Sequence, residues 1–74
     1  MQVIKFANIE TNLTGHITMM HKIEILKYDD IYVVTFRKYF SDEKKCSLTF
    51  SESYLKIEDA QEKFDFFVHL AMNY

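Results

Sequence analysis

Residues 22–40 read KIEILKYDDIYVVTFRKYF, and this stretch decides the fold. Two runs rich in β-branched and aromatic residues are separated by Asp29 and Asp30, a pair that favours a two-residue β-turn. If Tyr28 pairs with Ile31 across that turn, the two runs form an antiparallel hairpin in a fixed register. The register places these side chains on the buried side of the hairpin: Ile23, Ile25, Tyr32, Val34 and Phe36.

A further strand is predicted over residues 46–53, because apolar and polar residues alternate there with period two after a polar linker at 41–45. Cys46, Leu48 and Phe50 are expected to face the core. The serine and threonine residues between them are expected to face water, which is typical of an edge strand with one solvated face.

The first strand carries a weaker signal than the other three. Residues 2–9 alternate imperfectly, and the sequence Asn-Leu-Thr-Gly at 12–15 predicts a turn into a second strand over 16–28. The favoured register puts two residues of the first strand in the core and three on the opposite face: Ile4 and Phe6 inside, Val3, Ala7 and Ile9 outside.

The period changes from two to 3.6 at residue 57 and predicts one helix over residues 57–72. Glu58 and Asp59 lie in its first turn, where the helix dipole favours negative charge. The predicted fold class is therefore α+β, a four-stranded antiparallel β-meander with one C-terminal α-helix packed on one face, in the order ββββα. The strands span about 2–9, 16–28, 31–40 and 46–53, and the helical core stripe is Ile57, Ala60, Phe64, Phe67, Val68 and Ala71.

Length and composition limit the classes of function. With 74 residues and 49% hydrophobic content, the chain is expected to form a single domain whose core needs neither disulfide nor metal. Cys46 is the sole cysteine, and no stretch predicts an export signal or a membrane span, so we expect a cytoplasmic protein. The net charge of -2 and the single arginine, Arg37, argue against a field that holds nucleic acid.

Catalytic and metal-binding patterns are missing from the sequence. His16, His21 and His69 have no spacing that sets two metal ligands on one face, and Cys46 lies in no nucleophile signature. The acidic pairs occupy predicted turns, where Asp is favoured by its own backbone hydrogen bonding. We therefore predict no enzyme, no cofactor and no metal.

Apolar surface remains that the predicted fold does not need. On a helical wheel Phe66 and Leu70 lie far from the core stripe, one turn apart. The sheet face away from the helix is also rich in apolar side chains, and contiguous exposed apolar surface usually marks an interface. The predicted partner-binding residues are Phe66, Leu70, Leu26, Tyr28, Ile31, Val33 and Tyr39.

Our leading functional hypothesis is a small non-enzymatic protein-protein interaction protein. It would be an accessory or inhibitor protein encoded by a phage or mobile element, and it would act by occluding a partner surface. Its partner is a second copy in a homodimer, with the two sheet faces packed together, or another protein. That other protein would bind the apolar sheet face or add a strand to the open edge at 48–53, with Phe66 and Leu70 as an anchor pair. The alternative is a dimer that binds single-stranded nucleic acid on its aromatic sheet face. In strand order alone the predicted fold is similar to the single-strand-binding transcriptional coactivators, which stack bases in this way. A third reading is that a register error of one residue exchanges the two faces and leaves these side chains covered.

Overall fold

The computed structural model describes residues 1–42 and 46–73, and for residues 46–48 only the backbone. The elements are β1 (Gln2–Asn12), β2 (Thr18–Tyr28), β3 (Ile31–Phe40), β4 (Cys46–Tyr54) and α1 (Ile57–Met72). The strands form one antiparallel sheet in the order β1-β2-β3-β4, and α1 packs across one face and contacts all four strands. The predicted α+β fold with ββββα order is confirmed.

The central hairpin has the register that its turn predicts. Tyr28 pairs with Ile31, Ile25 with Val34, and Ile23 with Phe36. Asp29 takes the left-handed conformation that the tight turn requires, with φ of 48°. Aspartate tolerates this conformation better than most residues because its short polar side chain can bond locally.

The core lies between the β2–β3 hairpin and α1. Ring stacking joins the two layers, since the Phe36 and Phe67 centroids are 4.6 Å apart and nearly parallel. α1 begins after Lys56 without a side-chain cap, and its first backbone bond runs from the Ala60 N–H to the Lys56 carbonyl at 3.3 Å. The buried core is Ile23, Ile25, Val34, Phe36, Ala60, Phe64, Phe67 and Ala71.

The predicted orientation of β1 is wrong from residue 4 to residue 9, whereas Val3 lies on the side away from α1 as predicted. Ala7 and Ile9 pack against the core opposite Ile23 and His21, whereas Ile4 and Phe6 are exposed. A β-bulge between Val3 and Lys5 shifts the register, which the imperfect alternation of β1 did not reveal. Lys5 is tolerated beside α1 because its ammonium lies 4.8 Å from the centre of the Phe64 ring.

A second irregularity lies in the pairing of β3 with β4. Phe50 pairs with Phe36 and packs against the core, but the register shifts at the next pair, between Arg37 and Leu48. Thr49 is the extra residue, and its hydroxyl donates to the Phe36 carbonyl at 2.6 Å. The predicted inward positions of the Cys46 and Leu48 side chains lie outside the described residues.

His21 is fully buried on the core side near one end of the sheet. Its ring stacks on Phe36 with centroids 5.1 Å apart and an interplanar angle of 10°. Burial lowers the pKa of His21, and the positive charge of Lys38 lowers it further. At neutral pH His21 therefore packs as an uncharged aromatic ring.

Candidate interaction surfaces

The first candidate surface is the sheet face turned away from α1, here called the outer face. One row across it is formed by Val3, Leu26 and Val33, and the neighbouring pair toward the hairpin turn is Tyr28 with Ile31. Tyr28 is 41% exposed, whereas Leu26 is only 7% exposed because its neighbours cover it. This end of the outer face is therefore apolar and partly open to solvent.

The middle of the outer face is polar. Arg37 and Glu24 lie on adjacent strands with Nη1 and Oε1 3.9 Å apart, and Lys22 pairs with Arg37 across β2 and β3. We call Lys22, Glu24 and Arg37 the charged row. Tyr39 lies beyond it, half-buried and paired with Met20. The charged row thus separates Tyr39 from the apolar end.

The apolar end reaches β1 at Val3, and beside it on the same strand lies a ring that sequence reasoning assigned to the core. Phe6 pairs with Glu24 and is 62% exposed, which makes it the most exposed aromatic ring described on this face. It was missed because the bulge in β1 reverses the orientation expected for residues 4–9.

The second candidate surface is the flank of α1 that faces β4. Phe66 is 56% exposed and Leu70 46% exposed. The ammonium of Lys63 lies 5.2 Å from the centre of the Phe66 ring and 5.7 Å from that of Phe50. The ring of Phe66 also meets Phe67 edge to face at 5.5 Å, so a core residue supports it from below.

A pocket of about 340 Å³ opens on this flank between the end of β4 and α1. We call it the edge groove, and it is lined by Tyr54, Asp59, Glu62, Lys63 and Phe66. Burial raises the pKa of the Tyr54 phenol, and the negative charges of Glu52 and Asp59 raise it further. The groove is therefore an aromatic cleft in a negative electrostatic environment.

The seven predicted partner-binding residues do not form one site. Phe66 and Leu70 lie on the α1 flank, and the other five lie on the opposite side of the sheet. Tyr54 was missed because β4 extends one residue past its predicted end. The available signal was spacing, since Tyr54 continues the period of two that begins at Phe50.

Within residues 1–42 and 46–73, no group of three or more His, Cys, Asp or Glu side chains is arranged to hold a metal ion. In the same residues no helix is long and apolar enough to cross a bilayer. Comparison of the chain with known protein families, with curated proteins and with solved structures finds no match. Functional inference therefore depends on the two surfaces themselves.

Proposed function

We propose that this protein is a non-catalytic protein-binding protein that pairs with a second copy through its outer face. The apolar end of that face, together with the exposed Phe6 ring beside it, carries the proposal. An exposed apolar patch on so small a chain lowers its free energy when another surface covers it. The α1 flank then stays free to occlude the surface of a different protein, as an accessory or inhibitor protein does.

The size of the outer face supports a stable contact. Four strands about 4.8 Å apart and ten residues long at about 3.3 Å per residue give a footprint of roughly 600 Å². Specific interfaces bury roughly 800 Å² of accessible surface per partner, and a flat footprint underestimates accessible area. The outer face is therefore of the right order for a dimer but leaves little area to spare.

A second copy is the preferred occupant because a twofold interface uses the same patch twice. Two such sheets can pack face to face at about 10 Å, as in a β-sandwich. The charged row also suits self-pairing, since it holds both signs of charge in Lys22, Glu24 and Arg37.

The test is the mass in solution, measured by light scattering from ten to several hundred micromolar protein. We expect a dimer, and we expect Phe6→Lys to dissociate it because a buried ammonium at the interface is strongly unfavourable. Lysine is tolerated in the free chain, where residue 6 is exposed and faces Glu24.

The matched control is Leu13→Lys, which adds the same charge at an exposed apolar residue in the β1–β2 turn. The control should remain dimeric. A wild-type monomer at several hundred micromolar, or equal dissociation by both variants, would refute pairing through the outer face.

The nucleic-acid alternative receives weaker support from the charges of the outer face. Tyr28, Tyr39, Lys22 and Arg37 lie there, but Arg37 is already paired with Glu24. Single-strand binding needs cations beside the stacking rings. Salt-sensitive binding of a single-stranded oligonucleotide at physiological ionic strength would favour this alternative over protein binding.

The compartment and the origin are part of the same proposal. A single cysteine suits a reducing compartment, so we assign the protein to the cytoplasm. The absence of proline and the predominance of lysine over arginine suit an A/T-rich genome, such as that of a phage or mobile element.

A further inference from the structure

The free edge of β4 lies beside the edge groove. In the described sheet β4 is the last strand and pairs only with β3. Its segment 50–54 pairs regularly with residues 32–36, and the bulge at Thr49 lies outside that segment. Ser51 and Ser53 are exposed and small, so the backbone groups at this edge are accessible to another strand.

The other edge of the sheet is less suited to strand addition. β1 contains a bulge next to Lys5, and a lysine on an edge strand opposes pairing with another chain. Lys5 also reaches across to α1, where its ammonium lies 4.0 Å from the Asp65 carboxylate. An added strand is therefore better accommodated along β4 than along β1.

The chemistry of the edge groove selects the side chain that such a strand would carry. Two rings, Tyr54 and Phe66, and two carboxylates, Asp59 and Glu62, line the groove. Aromatic faces and carboxylates both attract a cation. An arginine guanidinium can stack on an aromatic ring while it donates hydrogen bonds to a carboxylate.

The ion pairs among the described residues do not neutralise the carboxylates around the groove. Lys5 pairs with Asp65 and Arg37 pairs with Glu24, so neither of these two cations pairs with Glu52, Asp59 or Glu62. The groove's own cation, Lys63, lies over the rings of Phe50, Phe66 and Phe67 at 5.2 to 5.9 Å. Two carboxylates, Asp59 and Glu62, thus line the groove with one lysine, and Glu52 adds a third negative charge near Tyr54.

We propose that an extended, basic segment of a partner protein adds to the free edge of β4 and places an arginine or lysine side chain in the edge groove. Side chains alternate along a strand, so one residue beside Tyr54 would point toward α1 and its neighbours would not. A charged side chain on an edge strand opposes indiscriminate strand pairing. On β4 that side chain is Glu52, and its negative charge favours a basic segment over an acidic one.

The probe is a seven-residue acetylated and amidated peptide of alternating threonine and valine with one central arginine. Its control carries citrulline, which has nearly the same shape and no charge. Titrations followed by amide resonances should show shifts at residues 50–54 and 59–66. Loss of one charge-assisted contact predicts about tenfold weaker binding of the citrulline peptide.

Two isosteric variants test whether the peptide binds the flank of α1 that faces β4. Glu62→Gln should weaken binding of the arginine peptide about threefold or more, because it removes a groove carboxylate. Asp65→Asn removes the same charge three residues away on the flank that faces β1, and it should leave affinity unchanged. N-methylation of alternate peptide amides should abolish binding, because it blocks strand pairing.

Three binding results would each overturn the proposal: equal affinity for the arginine and citrulline peptides, equal effects of Glu62→Gln and Asp65→Asn, or full binding by the N-methylated peptide. The inference rests on the proposed protein-binding function but not on dimerisation. The titration is therefore repeated on Phe6→Lys, so that loss of the dimer and loss of the groove are observed separately. A change of oligomeric state in Phe66→Asp would assign the groove to a second copy and would also refute the proposal.

Discussion

At the scale of single residues, two threonines on neighbouring strands have opposite roles. Thr35 lies in the centre of the outer face and is 4% exposed, and within the described residues its hydroxyl has no hydrogen-bond partner. Thr49 instead donates its hydroxyl to the Phe36 carbonyl at the bulge. A buried hydroxyl without a partner is unfavourable, whereas one that bonds a carbonyl is favourable.

This contrast predicts opposite effects of one substitution. Thr35→Val should raise the free energy of unfolding by about 1 kcal/mol, because valine keeps the shape and removes the unbonded hydroxyl. Thr49→Val should lower the free energy of unfolding by about 1 kcal/mol, because it removes the bond to Phe36. Urea denaturation of both variants measures the two changes. A loss of stability in Thr35→Val would show that its hydroxyl does bond in the folded protein.

At the scale of elements, the central hairpin and the helix could be predicted from sequence because each carries a strong local signal. The Asp29-Asp30 turn fixes the pairing of Tyr28 with Ile31, and all later pairs of β2 with β3 follow. The wheel separates Phe64 and Phe67, which are buried, from the exposed Phe66. Neither inference needs information from distant residues.

β1 and the edge groove could not be predicted because both depend on tertiary contacts. The bulge in β1 accompanies contacts with distant residues, since Ala7 packs against the core and Lys5 extends over Phe64. The groove brings Tyr54 together with a flank of α1, and the sequence alone does not specify which flank faces β4. The seven predicted residues therefore included Phe66 but not Tyr54 or Glu62.

Phe64 and Phe66 lie on different faces of α1, so the same substitution should affect stability differently at the two residues. Phe66→Asp should keep the fold and lower the free energy of unfolding by no more than about 1 kcal/mol, the value of its edge contact with Phe67. Phe64→Asp should unfold the chain, because it puts an unpaired carboxylate at a residue that is 3% exposed. Circular dichroism and amide spectra of the two variants are the measurement. If Phe66→Asp also unfolds the protein, Phe66 belongs to the core.

At the scale of the whole molecule, the chain has a large surface for its core. Its radius of gyration is 13.1 Å and its extents are 43 × 24 × 16 Å. A compact chain of this length has a radius of gyration of about 11 Å. The fold consists of one sheet covered by one helix on one side, so half of the sheet surface contributes no helix contact to stability.

This shape predicts that stability depends on protein concentration. If the outer faces pair, folding and association are linked, and each tenfold rise in concentration adds about 1.4 kcal/mol per dimer. For a dimer of two such chains the thermal midpoint should rise by about 3–5 °C per tenfold increase. Thermal unfolding followed by circular dichroism over roughly 5 to 500 μM protein measures the shift. Phe6→Lys should show no concentration dependence, whereas Leu13→Lys should behave like the wild type. A wild-type midpoint that does not change across that range would mean that the single sheet and its helix are stable as a monomer, with the apolar end of the outer face in water.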